Sequence, residues 1–396
     1  MRDEIANGKK PPLGVGIIGW GGIARVHMLA LKSLPVLFPD LPFNVRLAAV
    51  ATRDPARAGD DARNAGFEHV MSSPAELAGD AQVDVVDICT PNALHPQQAA
   101  DAWRNGKAVY VEKPLAESME SAQRLGEAWR AAGSPDTDQS AFILRFLPAV
   151  ARAKDILDAG ALGPILAFRG RMIHGGYLNP QRPMSWRLDQ ELAGGGALAD
   201  LGIHIIDLVQ FLLGDIAQVD ARTRTYVTER PASAGSARRV RVKVDDWAEV
   251  RCVTALGVPG TVEASRIGDG MEETAIEIFG RDGSLQIRAD APEFPRWFDR
   301  RAGELRPSTR DLDGDTTRAV LSVWPPAKLS LGWFVNAHAA SLAWCLRNVH
   351  AVRPGGTAAA PADSTRLTPG IGSSLQAQAV LDAAYRSARE GRPLGV

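Results

Sequence analysis

At 396 residues the chain is long enough for two or three domains, and its 45 basic against 46 acidic residues, a formal net charge of −1, argue against a nucleic-acid-binding surface as its main business. Three scattered cysteines, Cys89, Cys252 and Cys345, exclude a disulfide framework and a C-x-x-C metal knuckle. The polar segment Met1–Pro12 has no apolar h-region and no twin arginine, and no apolar run reaches the ~18 residues of a membrane span; a cytoplasmic protein without a membrane partner is expected.

The first element, from Leu13, begins as a buried strand of small and β-branched residues. It breaks at glycine and resumes with helical spacing through Ile23, Val26, His27, Ala30 and Leu31. Strand, glycine turn and helix give Gly19-x-Gly21-x-x-Ala24 its meaning as a dinucleotide fingerprint. Gly19 permits the tight turn, Gly21 lets a pyrophosphate approach the backbone, and Ala24 lets helix pack on strand. The free N–H groups at the helix start, near Gly22 and Ile23, then face the phosphates. Without a ligand the same pattern is a glycine-rich βα turn.

Asn44–Thr52 reads as a second strand and Pro55–Gly66 as a helix. Val83–Thr90 is a strand, followed by a helix from His95 to Gly106. Ala108–Val111 is a short strand before Glu112-Lys113-Pro114, Ser118–Ala132 is helical, and Ala141–Leu144 is a strand again. Short apolar strands alternating with helices predict a parallel sheet with helices on both faces over residues 1–145.

After Pro148 the rhythm changes. A helix, Ala149–Asp158, precedes a strand, Ile165–Ile173, and an irregular stretch, His174–Gly196. A helix follows at Ala197–Leu213, then strands at Ala217–Thr228, Val240–Thr254, Gly260–Arg266, Glu273–Phe279 and Ser284–Ile287. Consecutive strands with few helices between them predict a largely antiparallel sheet in a second unit, residues 146–396. Asp290–Lys328 and Ala351–Pro369 read as loops, and Phe334–Val349 and Gly372–Glu390 as closing helices.

Two stretches carry candidate chemistry. Asp200, His204 and Asp207 recur at i, i+4 and i+7, so they share a helical stripe. An Asp four residues before a His can fix its tautomer and raise its pKa toward neutrality, as a general acid/base needs. A helix-start Asp with a core or surface His fits the same spacing equally well. Lys113 closes a parallel strand, where ligands bind in open α/β sheets, and Pro114 holds its backbone extended. A surface lysine after a strand is the plain alternative.

Together these motifs resemble the family of glucose–fructose oxidoreductase, inositol dehydrogenase and rhizopine-catabolism proteins. The resemblance covers most of the chain. It rests on Gly19-x-Gly21-x-x-Ala24, Cys89-Thr90-Pro91-Asn92-x-x-His95, Glu112-Lys113-Pro114, Gly194-Gly195-Gly196…Asp200-x-x-x-His204-x-x-Asp207 and Ala384-Tyr385-Arg386-Ser387-Ala388, in that order. It implies a Rossmann domain followed by an α/β domain whose open, mainly antiparallel sheet often forms a dimer interface, so a homodimer or homotetramer is expected. By position, Lys113 would bond the reacting oxygen, His204 would exchange the hydroxyl proton, and Asp200 would orient and tune His204. The loop Thr90, Pro91, Asn92, His95 would approach the nicotinamide with Glu112 and Lys113. Substrates would be sugars, cyclitols or their derivatives.

An NAD-preferring site places a carboxylate at the end of the second strand. Here that position holds Thr52, followed by Arg53, so NADP is favoured over NAD; a shift of one residue would bring in Asp54 and reverse this. Arg145, His174, Tyr177, Trp186 and Arg187 are substrate-pocket candidates, with His338 as an outlying one. The main expectation is an NAD(P)-dependent oxidoreductase of a sugar-like alcohol or carbonyl. A non-catalytic dinucleotide sensor, or an enzyme that retains and recycles its cofactor, uses the same fold.

Overall fold

The computed structural model describes residues 10–306, 313–353 and 367–396. The first half is a six-stranded parallel sheet of β1 (Pro12–Ile18), β2 (Asn44–Ala51), β3 (His69–Met71), β4 (Val85–Ile88), β5 (Ala108–Val111) and β6 (Gln139–Ser140). Their order is 3-2-1-4-5-6. Strand order therefore reverses between β1 and β4, the crevice where open α/β sheets bind ligands. The crossover helices are α1 (Gly22–Leu37), α2 (Pro55–Asn64), α3 (Pro74–Gly79), α4 (His95–Arg104) and α5 (Met119–Ala131). The β1 core is closed because both faces are covered: Leu13, Val15, Ile17 and Ile18 are all buried.

Helix α6 (Pro148–Asp158) leads into β7 (Ile165–Ile173) and the second half. A short α7 (Gln190–Ala193) lies inside the stretch read as irregular, and α8 (Ile203–Leu213) follows a π turn at Leu198–Gly202. Next come β8 (Ile216–Arg224), β9 (Glu229–Pro231), β10 (Arg239–Arg241), β11 (Trp247–Thr254), β12 (Pro259–Ser265), β13 (Glu273–Gly280), β14 (Gly283–Arg288), β15 (Arg296–Asp299) and β16 (Glu304–Arg306). The chain closes with α9 (Asp315–Leu321), α10 (Trp333–Val352), α11 (Ile371–Glu390) and β17 (Leu394–Gly395). Nine strands form one sheet, in order 16-15-14-13-7-12-11-8-17. Its pairings are antiparallel except β7 with β12. One face carries the helices: Gly170 of β7 comes so close to α8 that a Cβ there would lie 2.3 Å from Ile205. On the opposite face Arg169, Arg222, Glu249, Arg251 and Thr261 are exposed among the described residues.

The expected fold, a Rossmann sheet plus a mainly antiparallel one, is the observed fold; several element expectations need correction. The strand expected at Ala141–Leu144 is instead the two-residue β6 followed by a 3₁₀ turn at Ile143–Phe146. β3 and α3 are too short for sequence periodicity to register. The strand expected at Ala217–Thr228 ends at Arg224, and the one expected at Val240–Thr254 is broken into β10 and β11, because β10 pairs with β9 in a separate two-stranded sheet. The expected loop Asp290–Lys328 contains β15, β16 and α9, with residues 307–312 outside the described residues. Of the expected loop Ala351–Pro369, residues 354–366 lie outside them too. Helical turns from Gln190 to Leu213 are together long and apolar enough to cross a membrane, but 89% of the apolar window is buried inside the fold, as core helices are.

The second half is not confined to itself. Helix α10 packs on α1; the Tyr110 and Ser341 hydroxyls lie 2.8 Å apart, and Gln139 Nε2 donates to Ser341 O at 3.1 Å. Arg353 pairs with Asp84 at 2.7 Å.

Candidate active site

The glycine turn is built to receive a phosphate. Gly19 has φ +100°, and a Cβ there would sit 2.7 Å from Cys89 O, so only glycine fits. Gly21 and Gly22 face open space, with nothing within 4 Å of a would-be Cβ. Gly21 caps α1 without a side-chain hydrogen bond, and no acidic residue occupies the first turn. The first N–H groups of a 16-residue helix are thus left without a side-chain cap. Ala24 is fully buried under the turn, as close helix–strand packing requires. The residues present therefore fit a dinucleotide pyrophosphate.

At the end of β2, Thr52 is half-buried and Arg53 exposed. Arg53 makes no hydrogen bond or ion pair with the described residues. Asp54 Oδ1 accepts from the N–H of Arg57 at 3.0 Å, so this carboxylate caps α2.

The cleft between the two sheets is lined by Ile23, Thr90, Asn92, Glu112, Lys113, Pro114, Trp186, Arg187, Asp200 and Arg266 among others. Lys113 Nζ donates to Asp200 Oδ1 at 3.0 Å and to Asp200 O at 2.7 Å. Arg266 donates to Asp200 Oδ2 at 2.9 Å, and Arg187 Nε stands 4.0 Å from the same oxygen. Burial works against charge on Asp200, but Lys113 and Arg266 outweigh it and hold its pKa well below the usual carboxylate range. Asn92 Nδ2 donates to Ala193 O at 2.8 Å, tying the Rossmann loop to the second half.

His204 is 7% exposed, with Phe142 edge-on at 6.0 Å between ring centres. Burial first, then the Lys113 charge, push its pKa down to about 3. Its Nδ1 is buried with no hydrogen-bond partner. The expected Asp200–His204 pairing does not form: the carboxylate is taken by two cations, and Asp200 sits in the π turn while His204 begins the α-helix beyond it. Nor does Asp207 share the site. It is 1% exposed and its carboxylate accepts from Arg145 Nε at 2.9 Å and Nη2 at 2.6 Å.

That pair also removes Arg145 from the substrate candidates: it is a core residue, 4% exposed, turned to Asp207 rather than into the cleft. Tyr177 is covered on its ring by Arg182 and Arg266, at 3.9 and 4.7 Å, so its apolar face is not free for a sugar ring. Trp186 and Arg187 do line the cleft, with the Arg187 guanidinium 4.5 Å from the indole. His174 is half-buried; burial lowers its pKa, with Glu272 and Asp200 acting in opposition and Lys113 and Arg266 adding to the lowering. Both His95 ring nitrogens lie 3.0 Å from carbonyls, of Pro114 and Thr90, so His95 staples the two cleft loops from behind. Thr90 donates its hydroxyl to Gln98 Oε1 at 2.7 Å, and Pro91 precedes a 3₁₀ turn. His338 is buried behind the cleft, 4.8 Å from the His27 ring. Sequence reading missed Arg266, whose only signal was its place at the end of a predicted strand.

The start of the π turn is held from a distance. Asp245 accepts from the N–H of Gly196 and of Leu198, both at 2.8 Å. Tyr385 donates to Asp245 Oδ1 at 2.7 Å and accepts from Gly196 and Ala199 N–H at 3.1 and 3.2 Å. A Cβ on Gly196 would lie 1.8 Å from Asp245 O, which is why glycine stands there.

Comparison with known proteins gives a consistent result. Residues 13–135 match the family described as "Oxidoreductase family, NAD-binding Rossmann fold", and residues 150–286 match the "GFO/IDH/MocA C-terminal domain". The levoglucosan dehydrogenase of Pseudarthrobacter phenanthrenivorans is 35% identical over 285 residues, 69% of this chain and 73% of that protein. Inositol 2-dehydrogenase 2 of Saccharopolyspora erythraea is 30% identical over 360 residues, 87% of this chain and 95% of that one. Among solved structures, levoglucosan dehydrogenase in complex with NADH and levoglucosan superposes with a TM-score of 0.83 at 29% identity, covering 97% of this chain and 99% of that one.

Proposed function

Because the chain belongs to the GFO/IDH/MocA family of NAD(P)-dependent oxidoreductases, we propose that its cleft oxidises a secondary hydroxyl of a sugar, cyclitol or sugar derivative, with Lys113, Asp200 and His204 as the working residues. The observation that carries this is the state of Lys113. Its ammonium has three donors; two are committed to Asp200, at 3.0 and 2.7 Å. The third is left for the substrate oxygen, where it offsets developing negative charge. His204, held neutral, takes the hydroxyl proton at Nε2, since Nδ1 is buried. Asp200 is a positioning residue for Lys113. A bound nicotinamide cofactor, cradled by Gly19, Gly21, Gly22, Ile23 and Ala24, supplies the hydride chemistry.

NADP is the preferred form. Support comes from Thr52 and the free guanidinium of Arg53 at the ribose end, and from Asp54 being occupied as a helix cap. The test is a fluorescence titration with NADPH and NADH on wild-type protein and Arg53→Ala, followed by a panel of sugars and cyclitols. The expected result is tighter NADPH binding and a loss on Arg53→Ala that falls mainly on NADPH. Equal losses for both would remove the 2′-phosphate reading, and binding of neither would end the oxidoreductase reading of this cleft.

The chain associates with its own copies through the open face of the nine-stranded sheet. That face carries a ladder of opposite charges: Arg171 bonds both Glu273 and Glu277, and Arg288 bonds Glu273. Phe279 and Phe298, 39% and 37% exposed, lie along it.

A further inference from the structure

Behind the cleft wall lies a set of ionisable side chains that the proposed chemistry does not use. His27, on α1, is fully buried. Its Nδ1 lies 2.9 and 3.1 Å from the two carboxylate oxygens of Asp87 and 3.3 Å from Cys89 Sγ. Its Nε2 stands 3.3 Å from Glu112 Oε1. Tyr110 and His338 close off the ring, at 5.6 and 4.8 Å between centres. Glu112 connects this cluster to the cleft: Oε2 accepts from the Lys113 N–H at 3.2 Å, and the residue forms part of the cleft wall.

One imidazole thus sits between two carboxylates, one sealed in the core and one at the cleft. Burial opposes charge on His27, yet Asp87 outweighs it and raises its pKa well above the usual value. Burial alone would raise Glu112, but the bond to His27 and its charge, then Lys113, bring it down to about 2. Two carboxylates and one imidazolium leave one negative charge. The other carboxylate of the cleft, Asp200, is taken by Lys113 and Arg266.

The oxidised nicotinamide ring is a cation and the reduced ring is neutral, so a fixed anion nearby stabilises only the first. We propose that Asp87, His27 and Glu112 form a buried charge triad that presents one fixed negative charge to the cofactor cleft and favours the oxidised nicotinamide over the reduced one. The triad rests on the cofactor reading above. It makes the protein load the oxidised form and let the reduced form go, the cycle of a dehydrogenase rather than a reductase. His27 is a positioning residue here: it keeps Glu112 ionised and fixed.

The experiment measures dissociation constants of both redox forms of the preferred cofactor by calorimetry, for wild type, Glu112→Gln and His27→Gln. Glu112→Gln should raise the ratio of oxidised to reduced dissociation constants about tenfold or more, by weakening the oxidised form alone. His27→Gln should move the ratio the same way; if it fails to fold, the near-isosteric Glu112→Gln still decides. Equal losses for both redox forms, or a ratio changed less than about twofold, would mean the cluster is only structural and would overturn the triad. His27, Glu112 and His338 also offer ligand atoms within 4.8 Å of one another, so elemental analysis accompanies the titration. One tightly held metal ion per chain would make His27 a ligand instead of a cation and overturn the triad as well. Wild-type protein that binds neither redox form would overturn the cofactor reading and the triad together, whereas an unchanged ratio overturns the triad alone.

Discussion

Lys113 is the residue on which turnover should depend most. Lys113→Ala removes the donor aimed at the substrate oxygen while leaving the glycine turn untouched. We expect kcat to fall by roughly 10²–10³-fold, as when one oxyanion donor is lost, with affinity for the reduced, neutral cofactor nearly unchanged. Steady-state kinetics alongside a binding titration check this, and normal turnover would remove the role. His204 gives a pH prediction. An unshifted histidine base would produce an acid limb near its ordinary pKa of about 6.5. Here burial and Lys113 push the pKa down to about 3, so the base is neutral at all higher pH. The profile of kcat/KM in free enzyme should therefore be flat between about pH 5 and 8; a limb near 6.5 would show His204 exposed and unperturbed. These residues were legible because they fall in short motifs of fixed order. Their partners were not. Asp200 and His204 share a spacing, but which group a carboxylate meets depends on cations that arrive from other elements, and Arg266, just past the end of β12, lies 66 residues later.

The strand–turn–helix at the N-terminus could be read because hydrophobic period and glycine punctuation agree. The π turn at Leu198–Gly202 could not, since Asp245 and Tyr385, which bond the N–H groups at its start, come from other parts of the chain. This gives a test. Tyr385→Phe deletes one donor and two accepted bonds while keeping the ring. The stability loss should be about 1–3 kcal/mol, the cost of leaving buried groups unmatched, read as a lower midpoint in denaturant. Because Asp200 lies within that turn, kcat should fall with it while the cofactor dissociation constant holds. A variant with unchanged kcat would mean the turn keeps its shape without the hydroxyl.

At the scale of the whole molecule, the sequence conveyed two sheets of different character but not their interlocking. Short strands such as β3, β15 and β16 are made by pairing, which leaves little local trace. The charged ladder on the open sheet face predicts how copies associate. Charge contacts between copies are screened by salt, with a Debye length of about 3 Å at 1 M. Light scattering behind size exclusion should show an oligomer at low ionic strength that shifts toward monomer in molar sodium chloride, and more readily for Arg171→Ala. An assembly that tightens with salt would point to Phe279 and Phe298 instead. The return of α10 onto α1 has a mechanical consequence. A protein joined by one linker opens like a book about its spine. This chain is stitched across that spine again by Tyr110–Ser341 and Arg353–Asp84, so its covers are bound on both edges. Trp186 and Arg187 line the cleft on the side of the second half, so a cleft tied in this way is expected to admit its ligand by movement of such lining side chains, not by the swing of a whole domain.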